Sequence, residues 1–441
     1  MPADHKELER YLAATPKSRA LWEEAREYLP GGDSRNSIFW NPYPIFIDSA
    51  SGCHVVDADG VDRLDFINTM TSMILGHSPR PVVDAVAEQL EKGMAFNAPN
   101  RHQVRLAKLL CQRVPSFDLV RFTNSGTEAT LNTIRAARAF TGKDRIAKVE
   151  GGYHGTHDVV TVSVRVDPRA AGSPDQPTAL AASEGLPHGL VDQVTVIPYN
   201  RTETALRILE ENKDQLAAVI VEPMLGSVGM VPASNTFLAM LREFTQRNGI
   251  VLIFDEVISF RVAPGGAQEY YGITPDMTSL GKIIGGGFAV GAFGGRAGIM
   301  DLYDPTKGAK VSHAGTFNAN PVTMLAGAVT LEKLTPEVYR RLAGMTEALK
   351  QGIRDVCAGL EVPVQVTGLG SMFGIHFTQG PINDYRDVAQ EDSGLRNQVF
   401  IGLLNEGVLT ASNLVGALST AMTEPDIDAF LGAFKRVLER R

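Results

Sequence analysis

Short, nearly continuous apolar runs constrain the fold of this 441-residue chain more than any other feature. Two of them read Ala-Ala-Val-Ile-Val at 217–221 and Ile-Val-Leu-Ile-Phe at 250–254. Strands of this kind are covered on both faces, which indicates an α/β fold with a mostly parallel sheet. Helical patterns at 81–92 and 101–113 alternate with the runs, as in repeated strand–helix units. The predicted strands are 119–122, 146–149, 194–197, 217–221, 251–254, 277–280 and 289–293.

The length of the chain exceeds what one hydrophobic core usually covers, so we expect a large domain and a smaller one. We place the large domain at residues 73–325. The N-terminal segment, 1–72, and the C-terminal segment, 326–441, are expected to form the smaller α+β domain. Its predicted elements are a helix over 5–29 that ends at Pro30-Gly31-Gly32, an antiparallel meander of runs at 44–47, 53–56 and 63–67, and helices near 322–334, 336–358, 388–406 and 424–440.

Composition excludes several functional classes. A net charge of −8 argues against a nucleic acid partner. The three cysteines, Cys53, Cys111 and Cys357, suggest neither a disulfide framework nor a zinc site. No span reaches the ~18 apolar residues of a membrane helix, and the first 16 residues do not read as a secretory signal. The sequence therefore predicts a cytoplasmic protein without membrane or metal.

In a parallel sheet, ligands bind beyond the carboxyl ends of the strands, and the residues that follow the first predicted strand suit an anion. They include Ser125, Gly126 and Thr127, directly before a helical segment. The amide groups and the dipole of a helix N-terminus attract phosphate, while the two hydroxyls can add hydrogen bonds. Taken alone, the same residues also describe an ordinary Ser/Thr helix cap.

The run at 146–149 is followed by Glu150-Gly151-Gly152-Tyr153-His154-Gly155. Tyr153 could stack on a flat ring there. His154 and His157 are spaced as a metal pair would be, but no third ligand is evident, and the metal interpretation is rejected.

Charged residues follow three further predicted strands: Glu222, Asp255 and Lys282. A carboxylate such as Asp255 can keep a pyridine nitrogen protonated, which makes the ring an electron sink. A partly desolvated lysine has a lowered pKa and can form an imine with an aldehyde. A solvated lysine is the more common case. A nucleotide loop fits poorly, since the glycines at 285–287 follow Lys282. One cofactor, pyridoxal 5'-phosphate (PLP), accounts for the phosphate site, the stacking ring, the carboxylate and the amine together.

The sequence resembles the class III aminotransferases of PLP fold type I, a group that includes glutamate-1-semialdehyde aminomutase and β-amino acid (β-phenylalanine-type) aminotransferases. The likeness spans most of the chain. It is carried by Pro30-Gly31-Gly32, Gly76-His77, R-F-T-N-S-G-T-E-A from Arg121, Gly152-Tyr153-His154-Gly155, Val221-Glu222-Pro223, I-F-D-E-V from Ile253, L-G-K-I-I-G-G-G from Leu280, and Gly315-Thr316-Phe317-Asn318.

This resemblance implies roles for individual residues. Lys282 would be the Schiff-base lysine and Asp255 the partner of the ring nitrogen. The other cofactor-binding residues would be Ser125, Gly126 and Thr127 at the phosphate, Tyr153 and Val257 on the two faces of the ring, and His154 and Glu222 in the polar network. Thr316 would reach the phosphate of a neighbouring subunit, which implies a homodimer with active sites at the interface.

The resemblance also bears on the substrate. Residues 310–316 lack the tyrosine usual in the gating region of the aminomutase, which favours a β-amino acid aminotransferase acting between an amino donor and a keto acceptor. In that group an arginine after Pro-Gly-x-x-Ser grips the substrate carboxylate, as Arg35 would here; a solvated turn arginine is the alternative. Asn413 stands where some of these enzymes have a second arginine, and the loop near Met73 would also shape the pocket. The alternatives are a glutamate-1-semialdehyde 2,1-aminomutase and, more remotely, a non-catalytic PLP-binding protein.

Overall fold

The computed structural model describes residues 3–441 and divides them into two compact units. The smaller unit combines the N-terminal residues through Arg80 with Arg340–Pro381 and Gln390–Arg441, and the larger unit comprises Pro81–Tyr339 and Ile382–Ala389. The boundaries therefore lie at 80/81 and 339/340, compared with the expected 72/73 and 325/326. The second boundary is later because helix Pro321–Lys333 packs on helix Arg101–Arg113 within the larger unit.

A seven-stranded sheet forms the centre of the larger unit. Across the sheet the strands are Leu119–Thr123, Gly291–Gly295, Met277–Gly281, Val251–Asp255, Leu216–Val221, Arg145–Val149 and Val194–Ile197. All seven correspond to predicted strands, and the sheet is mostly parallel as expected. Gly291–Gly295 runs antiparallel to both of its neighbours. Every residue of the central strands Leu216–Val221 and Val251–Asp255 is buried. The apolar runs are therefore covered on both faces.

Helices flank this sheet. They are Arg80–Leu90 (whose first residue belongs to the smaller unit), Arg101–Arg113, Gly126–Thr141, Thr202–Asn212, Asn235–Asn248, Ala267–Tyr271, Ala297–Met300, Pro321–Lys333 and Tyr385–Val388. Short 3₁₀ turns lie at Asp158–Val160, Val191–Gln193, Ser259–Arg261, Lys282–Gly285, Asp301–Tyr303 and Pro305–Lys307, and small hairpins pair Gly172–Ser173 with Gln176–Pro177 and Met224–Leu225 with Val231–Pro232.

The smaller unit contains two sheets. Ile47–Ser51, His54–Asp57 and Asp62–Asp65 form the predicted antiparallel meander, and Val408–Leu409 adds a parallel strand. The first strand begins at Ile47, later than the predicted run at 44–47. A second sheet has the order Gln365–Thr367, Met372–His376, Val415–Ala417. Its helices are Ala3–Ala14, Pro16–Ala25, Asn68–Thr71, Ser393–Asn405, Glu424–Glu439 and most of Pro336–Gly359, with 3₁₀ turns at Pro30–Gly32 and Asn36–Ile38.

Two helix predictions were wrong in extent. The single helix expected over 5–29 is divided at Thr15, because the ring of Pro16 cannot continue a helix and instead begins the next one. The helix expected over 388–406 is two helices, Tyr385–Val388 and Ser393–Asn405, and Asp392 caps the second by accepting a hydrogen bond from the Leu395 amide at 2.9 Å. Among residues 3–441, none of the helices combines the length and apolar character that spanning a bilayer requires.

Candidate active site

Three charged side chains lie at the carboxyl ends of three neighbouring strands. Asp255 ends its strand, Glu222 directly follows Leu216–Val221, and Lys282 directly follows Met277–Gly281. The strands are parallel, so their carboxyl ends share one edge of the sheet. The fold of the larger unit therefore brings together the three residues that the sequence singled out separately.

Asp255 is buried and accepts two hydrogen bonds. Nδ1 of His154 lies 2.8 Å from Oδ2, and the Val257 amide donates to Oδ1 at 3.2 Å. Burial lowers the pKa of His154, although the hydrogen bond with Asp255 opposes the shift. A buried carboxylate requires a cationic or hydrogen-bonding partner. The protonated nitrogen of a pyridine ring is a group of that kind.

Lys282 is half-buried and has a strained backbone, with φ at +50° in the left-handed region. Non-glycine residues persist in this conformation where the surrounding structure holds them, and such positions cluster at functional sites. Burial lowers the pKa of the Lys282 amine, with Asp255 and then Glu222 opposing the shift. The fold therefore increases the fraction of neutral amine, which is the form that attacks an aldehyde.

Glu222 is buried and fixed by backbone donors. Its Oε2 accepts from the Tyr153 amide at 2.9 Å, and its Oε1 accepts from the Gly226 amide at 3.1 Å. Burial and the neighbouring Asp255 raise the pKa of Glu222 to about 8. The raised pKa favours the carboxylic acid form, which can donate a proton or a hydrogen bond.

The expected phosphate site lies at the start of the 16-residue helix Gly126–Thr141. Ser125 caps this helix, since its Oγ accepts from the Glu128 amide at 3.2 Å. The Asn124 amide donates to the Glu128 carboxylate at 2.7 Å. The cap interpretation and the phosphate interpretation are compatible, because a capping hydroxyl keeps its own hydrogen for an anion.

Two glycines, Gly291 and Gly155, allow their chain segments to approach the start of this helix closely. A Cβ on Gly291 would lie 2.0 Å from the Ser125 carbonyl oxygen, and one on Gly155 would lie 2.5 Å from Oγ1 of Thr127. Only glycine permits backbone contact of this kind. Tyr153 is 40% exposed, and the Val257 side chain lies against Gly126 and Gly281.

Sequence reasoning missed a set of buried charges behind the Tyr153 loop. Lys148 is fully buried within strand Arg145–Val149 and donates from Nζ to the Val162 carbonyl oxygen at 2.6 Å. Burial lowers its pKa to about 7. Arg386 forms a bidentate ion pair with Glu150 at 2.7 and 2.9 Å. The position of Lys148 inside an apolar run could have indicated a buried charge. The ion pair of Glu150 and Arg386 could not be predicted, because the two residues are 236 positions apart in the sequence.

The expected substrate residues belong to the smaller unit, which has a cavity of about 390 Å³. Arg35 lines this cavity and is exposed, whereas Met73 and Asn413 are half-buried and lie outside its lining. The wall includes Thr69 and Met70, which belong to a left-handed turn of non-glycine residues with φ near +50°. Apolar lining residues are Ile38, Trp40, Ile45, Ile47, Val55 and Leu409.

A possible metal grouping lies outside the residues discussed so far. Among residues 3–441, candidate ligand atoms of Cys53, His54 and Asp426 come within 4.8 Å of one another, in the smaller unit. Asp426 is already used in capping helix Glu424–Glu439, and burial raises the pKa of Cys53 to about 11. The metal-binding form of cysteine is the thiolate, so this grouping is a poor metal site.

Known proteins resemble this chain over nearly its whole length. The sequence model described as aminotransferase class-III matches residues 39–438. A glutamate-1-semialdehyde 2,1-aminomutase of Methanothermobacter thermautotrophicus is 41% identical over 425 residues, which cover 96% of this chain and 99% of the relative. An omega-transaminase from Sphaerobacter thermophilus has a TM-score of 0.93 at 46% identity, covering 96% of this chain and 97% of that one. A beta-phenylalanine aminotransferase from Variovorax paradoxus has a TM-score of 0.89 at 38% identity, covering 98% and 96%.

Proposed function

Because the chain belongs to the class III aminotransferases and is therefore a PLP-dependent enzyme, we propose that it transfers an amino group from a β-amino acid to a keto acid by a ping-pong mechanism. The observation that carries the proposal is the position of Lys282 and Asp255 at the carboxyl ends of adjacent strands. The residues around them fit PLP: a helix N-terminus for the phosphate, Tyr153 and Val257 for the ring faces, Asp255 for the ring nitrogen and Lys282 for the aldehyde.

Bound PLP supplies an electron sink for negative charge that develops on the substrate carbon. Asp255 keeps the proton on the ring nitrogen, because a buried carboxylate favours a cationic partner. His154 holds Asp255 in place through Nδ1. These two side chains therefore set the charge state on which the chemistry depends.

Lys282 moves protons. With PLP bound, its amine would take up the proton from the carbon next to the substrate nitrogen and release a proton later, which requires a neutral amine at the working pH. Its lowered pKa suits this role. Glu222 orients the Tyr153 loop through the Tyr153 amide and provides a protonated carboxyl beside Asp255.

The donor is proposed from the cavity of the smaller unit. Its lining contains the guanidinium of Arg35, the polar side chains of Asp33, Asp65 and His77, and apolar side chains such as Trp40 and Leu409. A carboxylate suits the fork of an arginine, and an apolar group suits the remaining wall. A β-amino acid with an apolar or aromatic side chain has both parts, whereas glutamate-1-semialdehyde has no apolar group of that size.

The second candidate is an intramolecular aminomutase, which the 41% identical relative favours. The two reactions differ in their need for an acceptor. Without a keto acid a transaminase stops after the first half-reaction, with the amino group left on the cofactor, whereas an aminomutase returns the amino group to the same carbon skeleton and continues.

The test follows the visible absorbance of the holoenzyme after mixing with single amines. We expect β-phenylalanine to change the spectrum in a single half-reaction that yields one equivalent of keto product. More product should form only when a keto acid is added. The matched compound is α-phenylalanine, which should react more slowly. Repeated conversion of glutamate-1-semialdehyde without an acceptor would establish the aminomutase instead. A spectrum that no amine changes would indicate a non-catalytic PLP-binding protein.

A homodimer is also proposed. Thr316 is exposed, and so are four large apolar side chains of the larger unit, Met94, Phe96, Phe288 and Phe317, by 41 to 67%. We assign these five residues to the proposed dimer surface. A second copy would cover this surface and bring Thr316 to the phosphate of the other site, as the resemblance implies. Light scattering should give twice the chain mass, and Phe317→Asp should lower both the mass and the affinity for PLP. A monomer with full PLP affinity would contradict the dimeric site.

A further inference from the structure

Arg165 places a guanidinium beside the aromatic residue of the cofactor site. Its Nη2 donates to the Ser227 carbonyl oxygen at 3.0 Å, and its charge lowers the pKa of the Tyr153 phenol, against the larger effect of burial. The neighbouring arginines Arg386 and Arg201 are bound to carboxylates. Arg165 is exposed and forms no ion pair within residues 3–441.

The backbone holds Arg165 in this position. Ser163 and Arg165 both have φ of +51°, in the left-handed region that side chains disfavour. Ser163 is fixed on both sides, since its carbonyl accepts from the Gly151 amide at 2.9 Å and its amide donates to the Leu180 carbonyl at 2.7 Å. A strained conformation that the surrounding hydrogen bonds maintain indicates a position with a function.

The contacts of Arg165 connect two loops of the site. Gly151 is two residues from Tyr153, and Ser227 follows Gly226, whose amide holds Glu222. The hydrogen bond to Ser227 leaves other guanidinium N–H groups to grip an anion in the planar geometry that arginine prefers. A carboxylate suits this geometry, because both of its oxygens can accept from one guanidinium.

We propose that Arg165 binds the distal carboxylate of a dicarboxylic 2-oxo acid, the amino acceptor of the second half-reaction. This inference rests on the proposed function. Asn413 stands where a second arginine is expected from the resemblance, so that position supplies no cation. Arg165 provides a cation within the larger unit, which also contains Lys282, Asp255 and Tyr153. A donor with an apolar side chain has a single carboxylate and does not need it, so Arg165 discriminates between acceptors.

The test compares Arg165→Gln with Arg165→Lys and with the matched control Arg169→Gln. Arg169 lies four residues along the chain, is fully solvated and pairs only with Asp167. With a fixed amine donor, Arg165→Gln should raise the KM for 2-oxoglutarate by about 10- to 100-fold, the usual loss for a charge-assisted hydrogen-bonded pair. The KM for pyruvate should rise much less in the same variant. Arg165→Lys should recover part of the loss, and Arg169→Gln should behave as wild type.

Calorimetric titration of the holoenzyme provides a readout without turnover. Glutarate should bind to the wild type more tightly than butyrate, and Arg165→Gln should remove the difference. Equal KM changes for 2-oxoglutarate and pyruvate, or unchanged glutarate affinity in Arg165→Gln, would overturn the assignment. A wild type that transfers no amino group would refute the proposed function, and the glutarate titration would still decide whether Arg165 binds a dicarboxylate.

Discussion

The cofactor residues of the larger unit and the substrate cavity of the smaller unit differ in how firmly the fold holds them. Asp255 and Glu222 are buried at strand ends and each accepts two hydrogen bonds. Arg35 is exposed on an irregular segment, where hydrogen bonds hold its backbone: its amide donates to Asp33 Oδ1 at 2.9 Å and its carbonyl accepts from the Ile38 amide at 3.2 Å. Under the proposed function, residues on regular strands determine the reaction and residues on irregular segments determine the substrate. Substitutions in the first region should have large effects with every donor, and those in the second should have smaller effects that depend on the donor.

Replacement of Lys282 tests the first half of this comparison most severely. Lys282→Ala should reduce kcat by at least about 10⁴-fold with every donor, because it removes both the imine-forming amine and the proton carrier. PLP should remain bound, since the phosphate and ring contacts persist. Steady-state rates and the absorbance of bound PLP measure the two effects. Activity within tenfold of the wild type would remove Lys282 from its role.

Asp255→Asn should have the next largest effect. It removes the counter-ion of the ring nitrogen and should cost about 3–5 kcal/mol, divided between PLP affinity and rate. Glu256→Gln is the matched control, because Glu256 is also buried but binds elsewhere. Its carboxylate accepts from Gln268 Nε2 at 2.9 Å and from the Gln268 amide at 3.1 Å, at the start of helix Ala267–Tyr271. The control should lower thermal stability and leave the PLP spectrum unchanged. Equal spectral changes in both variants would contradict the assignment of Asp255.

Arg35→Gln should have a smaller effect that depends on the substrate. Loss of a charge-assisted hydrogen bond should raise KM for a β-amino acid by about 10- to 50-fold. KM for an amine without a carboxylate, such as 1-phenylethylamine, should change by less than about twofold. Steady-state kinetics with the two donors separate these outcomes. If both donors lose activity equally, the cavity of the smaller unit is not where the carboxylate is recognised.

Glu222→Gln should change the pH dependence of stability. The raised pKa of Glu222, about 8, means that the folded protein keeps a proton that the unfolded chain loses near pH 4.5. Stability should therefore fall as the pH rises from about 4.5 towards 8, by at most about 1.4 kcal/mol per pH unit from this group. Urea unfolding of the PLP-free protein at about pH 5 and pH 7 should show a shallower fall in Glu222→Gln. An unchanged slope would show that Glu222 ionises normally.

The same comparison explains what the sequence could predict. Asp255 and Lys282 follow apolar runs whose pattern depends only on local burial, so their position at one sheet edge was predictable. The antiparallel direction of Gly291–Gly295 was not, because apolar content does not encode strand direction. The helix break at Pro16 had a local signal that the prediction of one helix over 5–29 overlooked, because proline is accepted at the start of a helix and disfavoured in its interior.

The sequence could not indicate residues whose contacts are with partners far along the chain. The Arg386–Glu150 pair depends on a segment, Ile382–Ala389, that folds with the larger unit although its flanking residues belong to the smaller one. Arg165 was missed because its importance arises from the left-handed backbone around Ser163, which no residue type in that stretch requires. Both cases involve contacts that only the folded chain defines.

The most direct measurement is reduction of the holoenzyme with borohydride, followed by peptide mass spectrometry. Two lysines with lowered pKa lie in the larger unit, the half-buried Lys282 and the fully buried Lys148, so the location of the reduced adduct is informative. We expect a single PLP adduct on Lys282 and an unmodified Lys148. An adduct on Lys148, or a protein that remains colourless and unmodified after incubation with PLP, would contradict the assignment of Lys282 as the cofactor lysine.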